Sequence, residues 1–413
     1  MTVGVPEPVS RSWDGTMRWG TERSVHAAVL WNLCQDGDGR LYLPVSRAWV
    51  EMIHRMHFPH AVSAGPVIFG WDTALAAVAA VELGVDLVEA VLAPMFEHQR
   101  ADGMIPQVVV GTLASRRTGP PVVFHALARL HERLLEPRLQ RRWYANLVAY
   151  YRWLRQNRCQ GDSGLYQWGG EEGDDHPLAV PGRVGAALES GMDDSPMWDE
   201  VEWDADRRCL AVDCVGFSSL MARAAEVMSL WSADLGFPED AQAYHGDYLD
   251  LVDRINGRLW DEEARIYRNR RWDGWFTPAL TPTSFFPLLA GAAPPDRARD
   301  LLTHLFNPRG FWGDHVIPSL IPTHHAFDGD GDYWRGRVWP PLNWLCLEGL
   351  RRHDSDAAAL LLRRSRELAR WELTHHGHVH ENLSALTGQG EPRPGTYARS
   401  CPLYAWGGLM WVP

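Results

Sequence analysis

The residues best placed to do chemistry lie in two segments far apart in the chain. The first, Glu189-Ser-Gly-Met-Asp193-Asp194-Ser-Pro-Met-Trp198-Asp199, crowds carboxylates among glycine and proline, a composition no amphipathic helix face would carry. Such a turn either lies in solvent, with Asp194 or Ser195 capping the next segment, or lines a polar pocket. Met192, Met197 and Trp198 weigh toward the pocket, because they would be wasteful on a solvated turn. A carboxylic acid beside apolar surface has its charged form disfavoured and its pKa raised, as a general acid requires. The second segment, His375-His-Gly-His-Val-His380-Glu381-Asn382, supplies another carboxylate, Glu381, from a different loop. Its four histidines invite a metal reading, with His378 and His380 on one side of a strand. No third ligand follows at a standard spacing, so a satisfied or solvent-facing cluster is favoured.

Three further constellations carry aromatic and polar groups together. Phe69-Gly-Trp71-Asp72-Thr73 opens a helical run, where Asp72 or Thr73 could cap the helix and Trp71 anchor the core. Gly103-Met-Ile-Pro-Gln107 follows a helix and could simply end it. Tyr333-Trp334-Arg335-Gly336-Arg337-Val-Trp339-Pro-Pro-Leu-Asn343-Trp344 sets two guanidinium forks among large rings, as in a small-molecule pocket.

Helical periodicity dominates the elements that must position these groups, in about a dozen runs including 22–34, 46–57, 71–83, 87–99, 122–135, 139–156, 209–235, 240–259, 297–306, 340–353 and 356–372. Ser46 and Asp356 are candidate N-caps. The count fits a barrel of six inner and six outer helices, and equally an irregular bundle. The connections 160–203, 265–283, 307–339 and 375–402 are long and rich in aromatic residues, which marks them as functional rather than disordered. No linker divides the chain. The expectation is one domain over 21–413 behind a loosely ordered arm at 1–20.

The 413 residues carry a net charge of −12, with 40 basic residues that are all arginine. That balance argues against nucleic acid and anionic membrane surfaces as partners. No apolar run is long enough to span a bilayer and no signal peptide is evident, while six cysteines scattered without CxxC spacing read as reduced thiols of a cytoplasmic protein. The 21 tryptophans are either core or platforms for sugar rings.

Taken in chain order, FGWDT, SGMDDSP followed by WD, YWRGRVWPPLNWL and ENLSALTG before a Trp-rich end resemble glycoside hydrolase family 63. The resemblance covers 46–411, and the compact length is similar to the short bacterial members, the mannosylglycerate and glucosylglycerate hydrolases. It implies an all-α (α/α)6 barrel with long functional loops at one end, and hydrolysis of a small α-glucoside or α-mannoside with inversion. By the same resemblance Asp193 is the general acid and Glu381 the general base. Glu189 orients the acid or a hydroxyl, Trp71 and Asp72 hold the terminal sugar, and Phe69 and Gly191 are further substrate-binding residues. Gln107, Tyr333, Trp334, Arg335, Gly336, Trp339 and, more weakly, Trp406 form the pocket wall. Two carboxylates and a water suffice, so no metal or cofactor is called for. Inversion needs the two carboxyl groups about 6.5–9.5 Å apart.

Departures from the family lie in loops. His380 stands where the family carries Tyr, residues 322–327 replace an acidic turn, and Gly119-Pro120-Pro121 replaces a Gln-Pro-Pro element. A substrate carboxylate would want Arg116, Arg117 or Arg337. An α-glucosidase for a neutral disaccharide (kojibiose, nigerose or trehalose type), a non-catalytic sugar-binding barrel and a sugar epimerase remain rivals. Glucose against mannose, the aglycone and self-association stay open.

Overall fold

All ten residues of Gly70–Ala79, the helix α1, are buried, which requires a helix enclosed by others on every side. The computed structural model describes residues 29, 32–35, 41–43, 67–170, 178–331, 333–391 and 400–412. The expected arm at 1–20 and nearly all of the expected helices at 22–34 and 46–57 lie outside them. Ten further α-helices follow α1 among the described residues: α2 Val85–Glu97, α3 Val123–Leu134, α4 Pro137–Asn157, α5 Gly182–Glu189, α6 Val215–Asp234, α7 Pro238–Arg258, α8 Phe286–Leu289, α9 Pro295–Leu305, α10 Pro340–Arg351 and α11 Ser355–His376.

A ring closes through their contacts. Helix α1 packs on α3, α3 on α6, α6 on α8, α8 on α10, α10 on a 3-10 segment at Ala405–Met410, and that segment returns to α1. These six are the inner elements of an (α/α)6 barrel, and α2, α4, α7 and α11 pack against their outer sides. Inner and outer helices differ as burial demands. Every residue of α10 except Arg351 is buried, whereas α7 buries only Tyr244, Leu251 and Ile255 of its 21 residues.

Local signals set the helix ends. Proline stands at the first turn of α4, α7, α9 and α10, where a missing N–H costs nothing. Helix α11 is capped by Asp354, whose carboxylate accepts from the N–H groups of Asp356 at 3.0 Å and Ala357 at 2.9 Å. The cap is therefore Asp354 and not Asp356, which falls inside the first turn. Gly377, with φ 75°, ends α11 in the left-handed conformation.

The run expected from 209 starts as a helix only at Val215. Residues before it are held as strands, Cys209–Leu210 against Trp203–Asp204 and Val212–Asp213 against Arg270–Arg271. An antiparallel sheet of β1 Val67–Phe69, β2 Val108–Val110 and β3 Leu113–Ala114 feeds directly into α1. The Gly70 N–H donates to the Gln107 carbonyl at 2.8 Å, which fixes where Trp71 and Asp72 enter the ring.

Helices α8 and α10 approach so closely at Gly349 that a Cβ there would lie 2.9 Å from the Leu289 nitrogen and 3.0 Å from the Leu288 Cβ. Gly349→Val should force these inner elements apart and cost about 1–3 kcal/mol by overpacking, read as a lower Tm in thermal denaturation.

Candidate active site

Four carboxylates meet at one end of the barrel, at the N-terminal ends of α1 and α10. Asp72 comes from the first turn of α1 and accepts a 2.9 Å hydrogen bond from the Tyr404 hydroxyl. Glu381, on the loop after α11, is buried and accepts from the Tyr333 hydroxyl at 2.6 Å and the Cys401 N–H at 3.1 Å. Asp194 accepts from the Trp334 N–H at 2.8 Å, which ties the acidic turn to the aromatic loop.

Asp193 sits among them and keeps a little surface open to solvent. Burial, followed by the neighbouring charges of Asp194 and Glu381, pushes its pKa up to about 7, against an opposing pull from Arg117. Burial also raises Asp72 well above the usual carboxylate range; the Tyr404 hydrogen bond works against this, and Glu381 and Asp193 add to it. The Tyr333 hydroxyl is pushed up by burial and by the charges of Glu381 and Asp193, so it stays a donor. Asp72, Asp193, Tyr333 and Glu381 are thus close enough to feel one another's charge.

Four buried indoles pack together beside these groups. Trp334 stacks on Trp339 with centroids 3.4 Å apart and planes 8° from parallel, and Trp71 meets Trp406 edge-on at 5.3 Å. Trp71 also lies 6.3 Å from Trp334. The Trp339 indole N–H donates to the Tyr333 carbonyl at 3.0 Å, and that of Trp406 to the Glu381 carbonyl at 2.9 Å. The rings thus hold the loops that carry Tyr333 and Glu381. Gly191, with φ 69°, passes so close to Trp71 that a Cβ would come within 2.9 Å of the indole.

Several residues expected to touch the ligand instead build the frame. Glu189 is fully buried, and its oxygens accept from the Arg158 guanidinium at 2.6 and 2.7 Å, the Gly169 N–H at 3.0 Å and the Thr118 N–H at 3.2 Å. That set fills the carboxylate and leaves nothing for a sugar hydroxyl. Gln107 spends its amide on the Leu188 carbonyl and the Arg117 guanidinium. Arg335 makes a bidentate pair with the exposed Asp199 at 2.9 and 3.0 Å. Gly336, at φ 151°, lets the chain pass Asp328 and Gly329, where a Cβ would approach backbone to 2.9 Å. Phe69 is the last residue of β1, half-buried and paired with Val108.

Tyr404 and the Cys401 N–H escaped sequence reasoning, because nothing local marks a residue that reaches Asp72 or Glu381 across the barrel. The histidine run is organised by Glu372, which is fully buried and accepts from His380 and from the Gly390 N–H at 2.8 Å.

A sequence profile of the mannosylglycerate hydrolase MGH1-like glycoside hydrolase domain matches residues 65–406. The chain is 26% identical over 400 residues to mannosylglycerate hydrolase MGH1 of Selaginella moellendorffii, covering 79% of this chain and 77% of that one. It is 28% identical over 362 residues to the glucosylglycerate hydrolase of Mycolicibacterium hassiacum, covering 68% and 79%. The glycoside hydrolase family 63 mannosylglycerate hydrolase of Thermus thermophilus, solved with glucose, superposes with a TM-score of 0.73 at 21% identity, over 95% of this chain and all of that one. That likeness shows the barrel fold.

The geometry at Glu189 separates framework from ligand contact. Glu189→Gln leaves Arg158 as a buried, unpaired charge and should cost about 3–5 kcal/mol. Denaturant titration should show the loss, while KM of the remaining folded enzyme should change little.

Proposed function

The chain belongs to the mannosylglycerate hydrolase MGH1-like glycoside hydrolase family, and from that premise we propose an inverting exo-α-glycosidase in which Asp193 is the general acid and Glu381 the general base. The observation that carries the assignment of roles is the contrast between the two groups. Asp193 holds its proton up to about pH 7, whereas Glu381 accepts two hydrogen bonds, from the Tyr333 hydroxyl and the Cys401 N–H. Asp193 gives its proton to the glycosidic oxygen as the C1–O bond breaks and the aglycone departs as an alcohol. Glu381 takes a proton from water on the opposite ring face, the water oxygen bonds C1, and the sugar leaves as the β-anomer. Asp72, steadied by Tyr404, accepts from hydroxyls of the terminal sugar.

The substrate is a small α-glycoside. The names of the relatives support mannosylglycerate or glucosylglycerate. One observation keeps a neutral disaccharide as the second reading: Arg337, a candidate partner for a substrate carboxylate, is fully buried among backbone carbonyls. Six free thiols fit the cytoplasmic location expected from the sequence.

Asp193→Asn and Glu381→Gln should each lower kcat by about 10³-fold or more with substrate binding kept, and normal turnover by either variant would sink its assigned role. Because an acid acts only while protonated, kcat/KM should fall as pH rises through about 7 and hold up below it until the base protonates. NMR of the fresh product should show the β-anomer first. A panel of α-glycosides with and without a carboxylate on the aglycone decides between the two substrate readings.

A further inference from the structure

The loop that carries Glu381 is fastened from beneath by two buried ionisable side chains of opposite sign. Arg337 lies between Trp334 and Trp339 in the chain, so it belongs to the same loop as Tyr333. Its guanidinium, with no exposed surface, donates to the carbonyls of Asp330 at 2.9 Å, Gln389 at 3.2 Å and Gly390 at 2.9 Å, and to the side-chain oxygen of Asn382. Glu372, also without exposed surface, reaches in from the outer helix α11. It accepts from His380 on one side of Glu381 and from the Gly390 N–H at the far end of the loop. Between these two fastenings the loop pairs with the aromatic segment, the Leu383 and Val338 N–H groups donating to each other's carbonyls at 2.9 and 2.7 Å. What the arrangement fixes is the 2.6 Å bond from Tyr333 to Glu381.

We propose that Arg337 and Glu372 are positioning residues, whose joint hold on residues 380–390 sets the Glu381 carboxylate at the distance from C1 at which it can activate water. This rests on the reading of Glu381 as general base. Removing charge or reach at either fastening lets the loop drift relative to Tyr333. A misplacement of about 1 Å in a reacting group is worth on the order of 10²-fold in rate. Lysine does not replace Arg337, because one compact ammonium cannot donate to carbonyls on both loops at once.

The test compares Arg337→Lys and Glu372→Gln with Glu381→Gln on α-D-mannosyl and α-D-glucosyl fluoride. Fluoride departs without needing a proton, so Asp193 is bypassed and the base step is read alone. In the presence of sodium azide, a C1–N bond forms as the C1–F bond breaks, with no proton to remove, and the product is the β-glycosyl azide. Wild type and Asp193→Asn should turn over the fluoride with little response to azide. Both positioning variants should lose about 100-fold in kcat at near-normal KM and regain rate with azide, as Glu381→Gln does. Wild-type kcat in both positioning variants, or a loss that azide does not restore while Glu381→Gln is restored, overturns the positioning proposal. Full activity in Glu381→Gln overturns the base assignment instead. Should Arg337→Lys fail to fold, Glu372→Gln carries the same comparison.

Discussion

Like charges forced into one desolvated cleft are the constraint on which the rest of this site depends. Asp72, Asp194 and Glu381 are each met by a fixed donor, from Tyr404, the Trp334 N–H, and Tyr333 with the Cys401 N–H. Tyr404 does not offset the burial of Asp72, so Asp72 and Asp193 both absorb the repulsion by holding protons, Asp193 toward neutral pH. A cleft with fewer donors would leave several carboxylates sharing protons, with no definite acid and no definite base. A cleft with more would ionise Asp193 and remove the proton that its proposed role requires.

Those donors come from remote parts of the chain, and this is why the barrel must close. Tyr404 and Asp72 are 332 positions apart, yet they meet at 2.9 Å because the segment at Ala405–Met410 packs on both α10 and α1. A ring of six inner elements brings every N-terminal loop to one mouth, whatever its distance along the sequence. The tryptophans take part twice. Their faces exclude water, which strengthens each electrostatic interaction inside, and their N–H groups tie Tyr333 and Glu381 to the wall.

The outer helices were legible because they are amphipathic and long, and α4 or α7 can be read from the 3.6-residue period within two residues at either end. Helix α8 and the segment at Ala405–Met410 were not, since four to six uniformly buried residues carry no period to detect. The turn carrying Asp193 stood out in composition, as acidic groups whose apolar neighbours a solvated turn would waste, whereas Glu381 stood out only as a carboxylate on a second loop. Their assignment as acid and base came only with the family likeness. The partners of the other motif residues were hidden. That Glu189 would face Arg158, or Gln107 face Arg117, depends on how loops cross after folding and leaves no mark at either position.

Glu189, Gln107, Arg335 and Gly336 show how residues inside a motif can build its frame. Glu189 and Gln107 hold guanidinium groups, Arg335 pairs with Asp199, and Gly336 lets the chain pass its neighbours. Replacing Glu189 strands a buried guanidinium, and replacing Gly336 drives a Cβ into backbone, so the motif is held in place by folding as firmly as by chemistry. The same logic applies at His380. With Glu372 beneath it, the imidazole has a buried carboxylate to bond, and the loop keeps its fastening.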